Sequence, residues 1–419
     1  MTSGVLMDPM PPSPRPAEET PLPTPTPLPT PAPAPLAPSA AVPAPDDPER
    51  WTHDRGPSIR SRAISRALYL GLRPFIHRVP GHAVSLRAAR STVDAASLLM
   101  RAGQRARVLP LVDPRVETGE DAPPIVGEWV VSRDSETARG ASGPSAQGAG
   151  GPSAQSVRGP AQGAGGLAQG AGGPLAQGVR GAILYLHGGG YVVCSPRTHR
   201  PITSRLAVET GLPVLAPHYR MAPEHPFPAP LEDAVAAYRW LLDRGVPASG
   251  IVLAGDSAGG HLAASLTGEI LRTGLPRPAG TLLFSPWVDL TCELSTREQR
   301  VARDPYISAS TAHRIARLVV GPGGFDDPRL ALLGRTWRDA PPFLVQVGGA
   351  EVLRPEAEAL ADVLTGAGVD CELQVWTGQM HVFQILNRML PEAGAAMSEA
   401  ARFVARVTAS APVPASAVA

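Results

Sequence analysis

From residue 183 onward, short apolar runs alternate with segments of helical spacing. The runs are ILYLH (183–187), PVLAP (213–217), IVLAG (251–255), TLLF (281–284), FLVQVGG (343–349) and ELQVW (372–376). Between and after them, apolar positions recur at helical intervals near 198–209, 231–243, 258–271, 355–364 and 392–407. Runs this short read as strands, and strands that return parallel need a crossover, usually a helix. The alternation predicts an α/β chain with a mostly parallel, doubly wound sheet. Sites on such sheets gather beyond the carboxyl ends of the strands.

Two stretches fall outside this pattern. Residues 9 to about 48 alternate Pro with Ala, Thr and Leu, which favours extended polyproline II and offers nothing to bury. Residues 1–48 are expected to be a disordered tail, either a dispensable extension or a ligand for an unknown partner. From 140 to 181 an Ala-Gln step recurs at Ala146, Ala154, Ala161, Ala168 and Ala176 without an apolar face, so a flexible surface loop is expected. It separates the strand-like VGEWVVS (126–132) from ILYLH and reads as the expanded loop of a hairpin. Between tail and loop, residues 58 to about 107 place Ile64, Leu68 and Leu72, then Ala95, Leu98 and Leu99, at helical spacing among many Arg. The division expected is a helical cap and lead-in over 49–120, a catalytic domain over 121–409 interrupted by the 140–181 loop, and a second disordered tail over 410–419. Roughly 300 residues are left to fold, enough for one α/β domain with a large core.

Charge narrows the function. The 38 basic and 37 acidic residues give +1, which provides no field to hold nucleic acid or an anionic membrane. All 38 basic residues are Arg, and the lack of Lys excludes a P-loop lysine, a Schiff-base lysine and a Ser/Lys dyad. Cys194, Cys292 and Cys371 are far apart and odd in number, so neither a disulfide framework nor a zinc site is expected. No cofactor or metal is expected. No apolar run approaches about 18 residues and the start lacks a basic, apolar leader, so a cytoplasmic protein without a transmembrane segment is the expectation.

The chemistry centres on the strand IVLA, which runs into Gly255-Asp256-Ser257-Ala258-Gly259-Gly260 and then a helical segment. This is GxSxG in the strand-turn-helix setting that lifts a serine hydroxyl above a sheet. His187-Gly188-Gly189-Gly190 follows another strand, and consecutive glycines let backbone N–H groups point into one cavity. With Ala258, the amides of Gly188 and Gly189 are the candidate oxyanion hole. A serine hydroxyl needs a base, and with no Lys the base is expected to be histidine. Of the ten histidines, His381 is the last and follows the final strand. The orienting acid is expected between nucleophile and base, after a strand; Glu351 in FLVQVGGAEVL satisfies this, with Asp289, Asp326 and Asp327 as alternatives. Catalytic Ser257, His381 and Glu351 are thus predicted to transfer an acyl group through Ser257, with a rate that declines as pH falls through roughly 6 to 7.

With HGGG, GDSAGG, a late acid and a terminal histidine in this order, the chain resembles the hormone-sensitive lipase family of α/β-hydrolases, common in bacteria. The likeness extends to Tyr219-Arg220-Met221-Ala222-Pro223-Glu224-His225-Pro226 and to Ser285-Pro286-Trp287-Val288-Asp289-Leu290. It implies an α/β-hydrolase fold: an eight-stranded, mostly parallel sheet with an N-terminal helical cap over the acyl and alcohol pockets. It also implies that Tyr219 and Glu224 support the oxyanion loop and that Asp256 braces the elbow. The substrate implied is a small-molecule carboxylic ester of short to medium chain, with lactones or acyl amides as alternatives on the same apparatus; a non-catalytic binding module and a homodimer are left open. One departure is plain. The family's usual acid is Asp, whereas this chain carries Glu351, one methylene longer with the same charge.

Overall fold

The apolar runs become strands of one sheet because each is buried on both faces and must pair its backbone. The computed structural model describes residues 51–52, 56–73, 83–97, 103–113, 124–134 and 179–409, all within the unit Pro48–Ala419. The strands are β1 Trp51–Thr52, β2 Ala106–Asp113, β3 Ile125–Ser132, β4 Ala182–Leu186, β5 Val214–Pro217, β6 Ile251–Asp256, β7 Gly280–Phe284, β8 Phe343–Gly348 and β9 Cys371–Trp376. The helices are α1 Ile59–Ala67, α2 Ala83–Ala96, α3 Arg200–Thr210, α4 Ala229–Asp243, α5 Ala258–Thr273, α6 Glu293–Glu298, α7 Ala309–Val320, α8 Arg354–Gly366 and α9 Pro391–Thr408.

The sheet runs β1-β9-β8-β7-β6-β4-β5-β3-β2. Strands β4 to β9 pair in parallel, while β3 is antiparallel to both β2 and β5. The eight strands implied by the resemblance are joined by the two-residue β1 at the β9 edge. From β4 the chain steps outward to β5, then returns to place β6 on the other side of β4. That reversal between β4 and β6 opens a crevice where a ligand can sit.

Alternate side chains build two cores, as the period of two requires. Leu184, Leu186, Leu253, Leu283 and Val345 pack with α4, α5 and α8 on one face. Ile183, Tyr185, Val252, Ala254 and Leu282 pack with α3 and α9 on the other.

Two expectations need correction. The runs 126–132 and 183–187 do not form a hairpin, because β5 lies between β3 and β4. Sequence proximity suggested pairing, but burial of both faces of β4 takes precedence. Residues 106–113, expected only as part of the cap and lead-in and not as a strand, form β2 and pair with the whole of β3. Pro110 masks this strand; it is tolerated because β2 is the outer edge, where a missing N–H costs no ladder bond. The predicted tails and nearly all of the 140–181 loop lie outside the described residues.

In the stretch from 58 to about 107, where two or three helices are expected and Leu98 and Leu99 lie outside the described residues, lie helices α1 and α2. The first is capped by Ser58, whose hydroxyl accepts from Ser61 N, and is moored by Ser58 N to Glu392 Oε1 (2.6 Å) and Ser61 Oγ to Gln379 Oε1 (3.0 Å). The second is held by Arg90, which donates to Val192 O (2.7 Å), Ala222 O (2.6 Å) and both oxygens of Glu224. Without Lys, Arg supplies the cation of such pairs throughout, as in Arg200–Glu128 (2.6 Å) and Arg220–Asp233 (2.8 Å). Among the described residues no helix is long and apolar enough to cross a membrane.

Hydrogen bonds from Arg90 hold the Glu224 carboxyl down at about 2, from an ordinary 4.5. A carboxyl depressed on folding contributes stability above its unfolded value and loses it as pH falls through the folded one. Arg90→Ala is therefore expected to cost on the order of 1 kcal/mol at pH 7, after solvent screening. The difference from the parent should shrink between about pH 4.5 and pH 2, as followed by urea denaturation.

Candidate active site

Ser257 closes β6 and opens α5 with φ 54 and ψ −123, a conformation that a non-glycine residue keeps only when its surroundings enforce it. Its N–H donates to Phe284 O (2.9 Å), while its carbonyl accepts from Trp287 N (3.0 Å) and His261 N (3.1 Å). The flanking glycines are needed for closeness: a Cβ on Gly259 would run into Leu186 O and His187 O, and one on Gly255 into Gly259 O. The elbow is thus pressed against the end of β4. Ala258 follows as the first helical residue, with an N–H that has no intrahelical acceptor.

The glycine loop begins where β4 ends. Gly188 N donates to Asp256 Oδ1 at 3.0 Å, which corrects the assignment of this amide to an oxyanion hole: it is turned inward and already engaged. Gly189 and Gly190 have φ 112 and 63, are only half-buried, and their N–H groups have no acceptor among the described residues. Tyr219 supports the loop from below, its hydroxyl donating to His187 O (2.6 Å) and its ring stacked 4.4 Å from the His187 ring. Burial and the neighbouring His199 push the His187 imidazole down to about 3, so it stays neutral.

Asp256 also accepts from Tyr185 OH (2.6 Å) and lies 3.1 Å from His199 Nε2. Burial works against its charge, but His199 and the Tyr185 hydroxyl outweigh that and hold the carboxyl below its ordinary range. Burial likewise lowers His199, and Asp256 overcomes it, so the imidazole is held above its ordinary value.

The other two predicted residues meet directly. Glu351 follows β8, His381 follows β9, and His381 Nδ1 lies 2.7 Å from Glu351 Oε2 with both side chains buried. The second oxygen, Oε1, accepts from Gly348 N (2.5 Å) and Ser285 Oγ (2.6 Å). Asp304 steadies the same loop, accepting from Val352 N (3.0 Å), Tyr306 N (2.6 Å) and Ile307 N (2.8 Å). The Tyr306 ring then stacks 6.1 Å from the His381 ring. Asp304 and Tyr306 were missed in the sequence, while Ser285 entered only as part of the Ser285–Leu290 likeness, directly after a strand and without a role of its own.

The competing acids are occupied elsewhere. Asp289 accepts from Thr291 N, Glu293 N and Leu294 N and so caps α6, Asp327 pairs with Arg329 at 2.7 Å, and Asp326 is exposed. Among the described residues no group of three or more His, Cys, Asp or Glu is arranged to hold a metal ion.

A strained serine at a topological switch, in a chain that also carries a buried carboxylate–imidazole pair after β8 and β9, puts the chain in the α/β-hydrolase class. Residues 183–385 match the family model described as alpha/beta hydrolase fold. The chain is 41% identical over 230 residues to an acetyl-hydrolase of Streptomyces hygroscopicus, covering 54% of this chain and 76% of that one. It is 33% identical over 219 residues to an ethyl acetate hydrolase of Pseudomonas putida, covering 51% and 69%. The crystal structure of an esterase from the bacterial hormone-sensitive lipase family superposes with a TM-score of 0.66 at 29% identity, covering 84% of this chain and all of that one. This chain belongs to the hormone-sensitive lipase family.

Burial lowers the affinity of His381 for a proton, but the Glu351 carboxylate beside it raises it by more, so the imidazole is held above its ordinary 6.5. Titration of the ring protons by NMR should give a midpoint above 6.5. Glu351→Gln, which removes the negative charge, is expected to bring the midpoint down.

Proposed function

We propose that this α/β-hydrolase is a serine carboxylesterase that cleaves short- to medium-chain carboxylic esters through an acyl-enzyme on Ser257. The observation that carries this reading is the buried 2.7 Å contact between His381 Nδ1 and Glu351 Oε2, which leaves Nε2 as the ring nitrogen free to act as base. In the first step His381 takes the Ser257 proton as the hydroxyl attacks the ester carbonyl. The N–H groups of Gly189, Gly190 and Ala258 stabilise the oxyanion, each worth about a hundredfold to a thousandfold in rate. Gly190 takes the place first assigned to Gly188, whose N–H serves Asp256.

His381 then protonates the leaving alcohol, and water repeats the sequence to release the acid. Glu351 keeps the imidazole in one tautomer and stabilises its charged form. Relatives named acetyl-hydrolase and ethyl acetate hydrolase support a small acyl group. Helices α1 and α2, moored beside His381 and the glycine loop, serve in this reading as the cap that shapes the pocket. A cytoplasmic location and a partner for residues 1–48 belong to the same proposal.

Ser257→Ala should lower kcat for p-nitrophenyl butyrate by roughly 10,000-fold or more with an unchanged melting temperature, and a fluorophosphonate should label the parent but not the variant. Turnover at the parental rate would overturn the assignment. Deleting the residues before Asp46 is expected to leave kcat unchanged while altering location or binding if the tail has a partner.

A further inference from the structure

The segment that follows β7, Ser285-Pro286-Trp287, has no part in the chemistry above, yet it is hydrogen-bonded to the proposed nucleophile, to the proposed acid and to the residue after the proposed base. Ser285 is fully buried. Its hydroxyl donates to Glu351 Oε1 at 2.6 Å and accepts from Val382 N, the residue after His381, at 3.1 Å. Its own N–H donates to Gln346 O of β8 at 2.6 Å, and the carbonyl just before it, Phe284 O, accepts from Ser257 N at 2.9 Å. Nucleophile, acid and base-bearing segment are all hydrogen-bonded to two consecutive residues.

The backbone strengthens the case. Ser285 has φ 46, in the left-handed region where glycine is relaxed and any side chain is strained. Strain kept at such a point indicates a task for the side chain. That task follows from valence: a hydroxyl has one proton to give and lone pairs to receive, and here the proton goes to Glu351 while a lone pair takes Val382 N–H. Glutamate has one more rotatable bond than aspartate, so a carboxylate held only at Oε2 would swing. Gly348 N and the Ser285 hydroxyl fix Oε1 and thereby keep Oε2 on His381 Nδ1.

We propose that Ser285 is a positioning residue, whose hydroxyl locks Glu351 and the His381 segment in the register that Ser257 requires. This rests on the Ser257–His381–Glu351 reading. The groups facing His381 are Glu351, Asp304, Asp256 and the Tyr306 ring, and of these the Ser285 hydroxyl contacts Glu351. Removing that donor leaves more charge on the carboxylate, which favours the imidazolium and moves the acid limb of kcat to higher pH.

The test uses the full chain carrying Ser285→Ala, Ser285→Gly or Ser285→Cys beside Ser257→Ala and Glu351→Ala, with p-nitrophenyl butyrate as substrate and thermal melting as the fold control. Ala and Gly should both lose about tenfold to a hundredfold in kcat, as expected for a hydrogen bond to a charged group. KM should stay within about twofold and the acid limb should move up. Gly should melt no lower than Ala because it relieves the left-handed strain, and Cys, a weak donor of similar size, should fall between Ala and the parent. A parental kcat and acid limb in the folded Ser285 variants, with Ser257→Ala and Glu351→Ala inactive, would overturn the role of Ser285 alone. Recovery of kcat in Gly but not Ala would assign the effect to the backbone and overturn it as well. Parental turnover by Ser257→Ala or Glu351→Ala would instead remove the triad reading and this proposal with it.

Discussion

A carboxylate shut away from water costs several kcal/mol unless donors surround it, and Asp256, 2% exposed, sits one residue before the elbow serine. Its partners come from three places: Tyr185 on β4, Gly188 at the start of the glycine loop, and His199 in the turn that leads into α3. Satisfying that one charge sets the register of β6 against β4 and turns the first loop amide inward. The amides of Gly189 and Gly190, which follow it, keep no acceptor among the described residues. The site's geometry thus depends on a residue that performs none of the proposed chemistry.

Much of this was legible in the sequence because it is local. The strands β4 to β9 announced themselves as short apolar runs, since burial on both faces allows little else. The elbow was legible because Gly255 and Gly259 flank Ser257 at the spacing a tight strand-helix turn needs, and each proves to be in contact with the backbone around β4. Glu351 and His381 could be picked out by order along the chain, and they meet. What was not legible is non-local. The pairing partner of β3 depends on which strands compete for β4, and β2 was hidden by a proline that matters only in an interior strand. The use of Gly188 N depends on Asp256, 68 residues away, and the contacts of Ser285 reach 66 and 97 residues along the chain. No spacing rule encodes such pairs.

The glutamate in place of the family's usual aspartate is accommodated by close packing. A Cβ on Gly348 would meet Gln379 O and Glu351 Oε1, so the chain before the acid leaves room for a longer side chain to fold back on its own backbone. Its two oxygens are then divided, one to His381 and one to the amide and hydroxyl that hold it. The extra methylene adds a freedom that the surroundings remove.

The absence of lysine in a chain with 38 arginines also governs how the fold meets alkali. Guanidinium groups keep their charge beyond about pH 12, so pairs such as Arg200–Glu128 and Arg220–Asp233 persist where an ammonium would have let go. Burial pushes the thiols of Cys194, Cys292 and Cys371 up to about 12 and lifts Tyr185, Tyr191 and Tyr219 well above the ordinary phenol value. The ion pairs therefore outlast alkali, but the buried thiols and phenols oppose it. Once unfolded they ionise near their ordinary values of about 9 to 10, so stability falls as pH rises past that range, and these groups rather than the cations set the limit of the fold toward base.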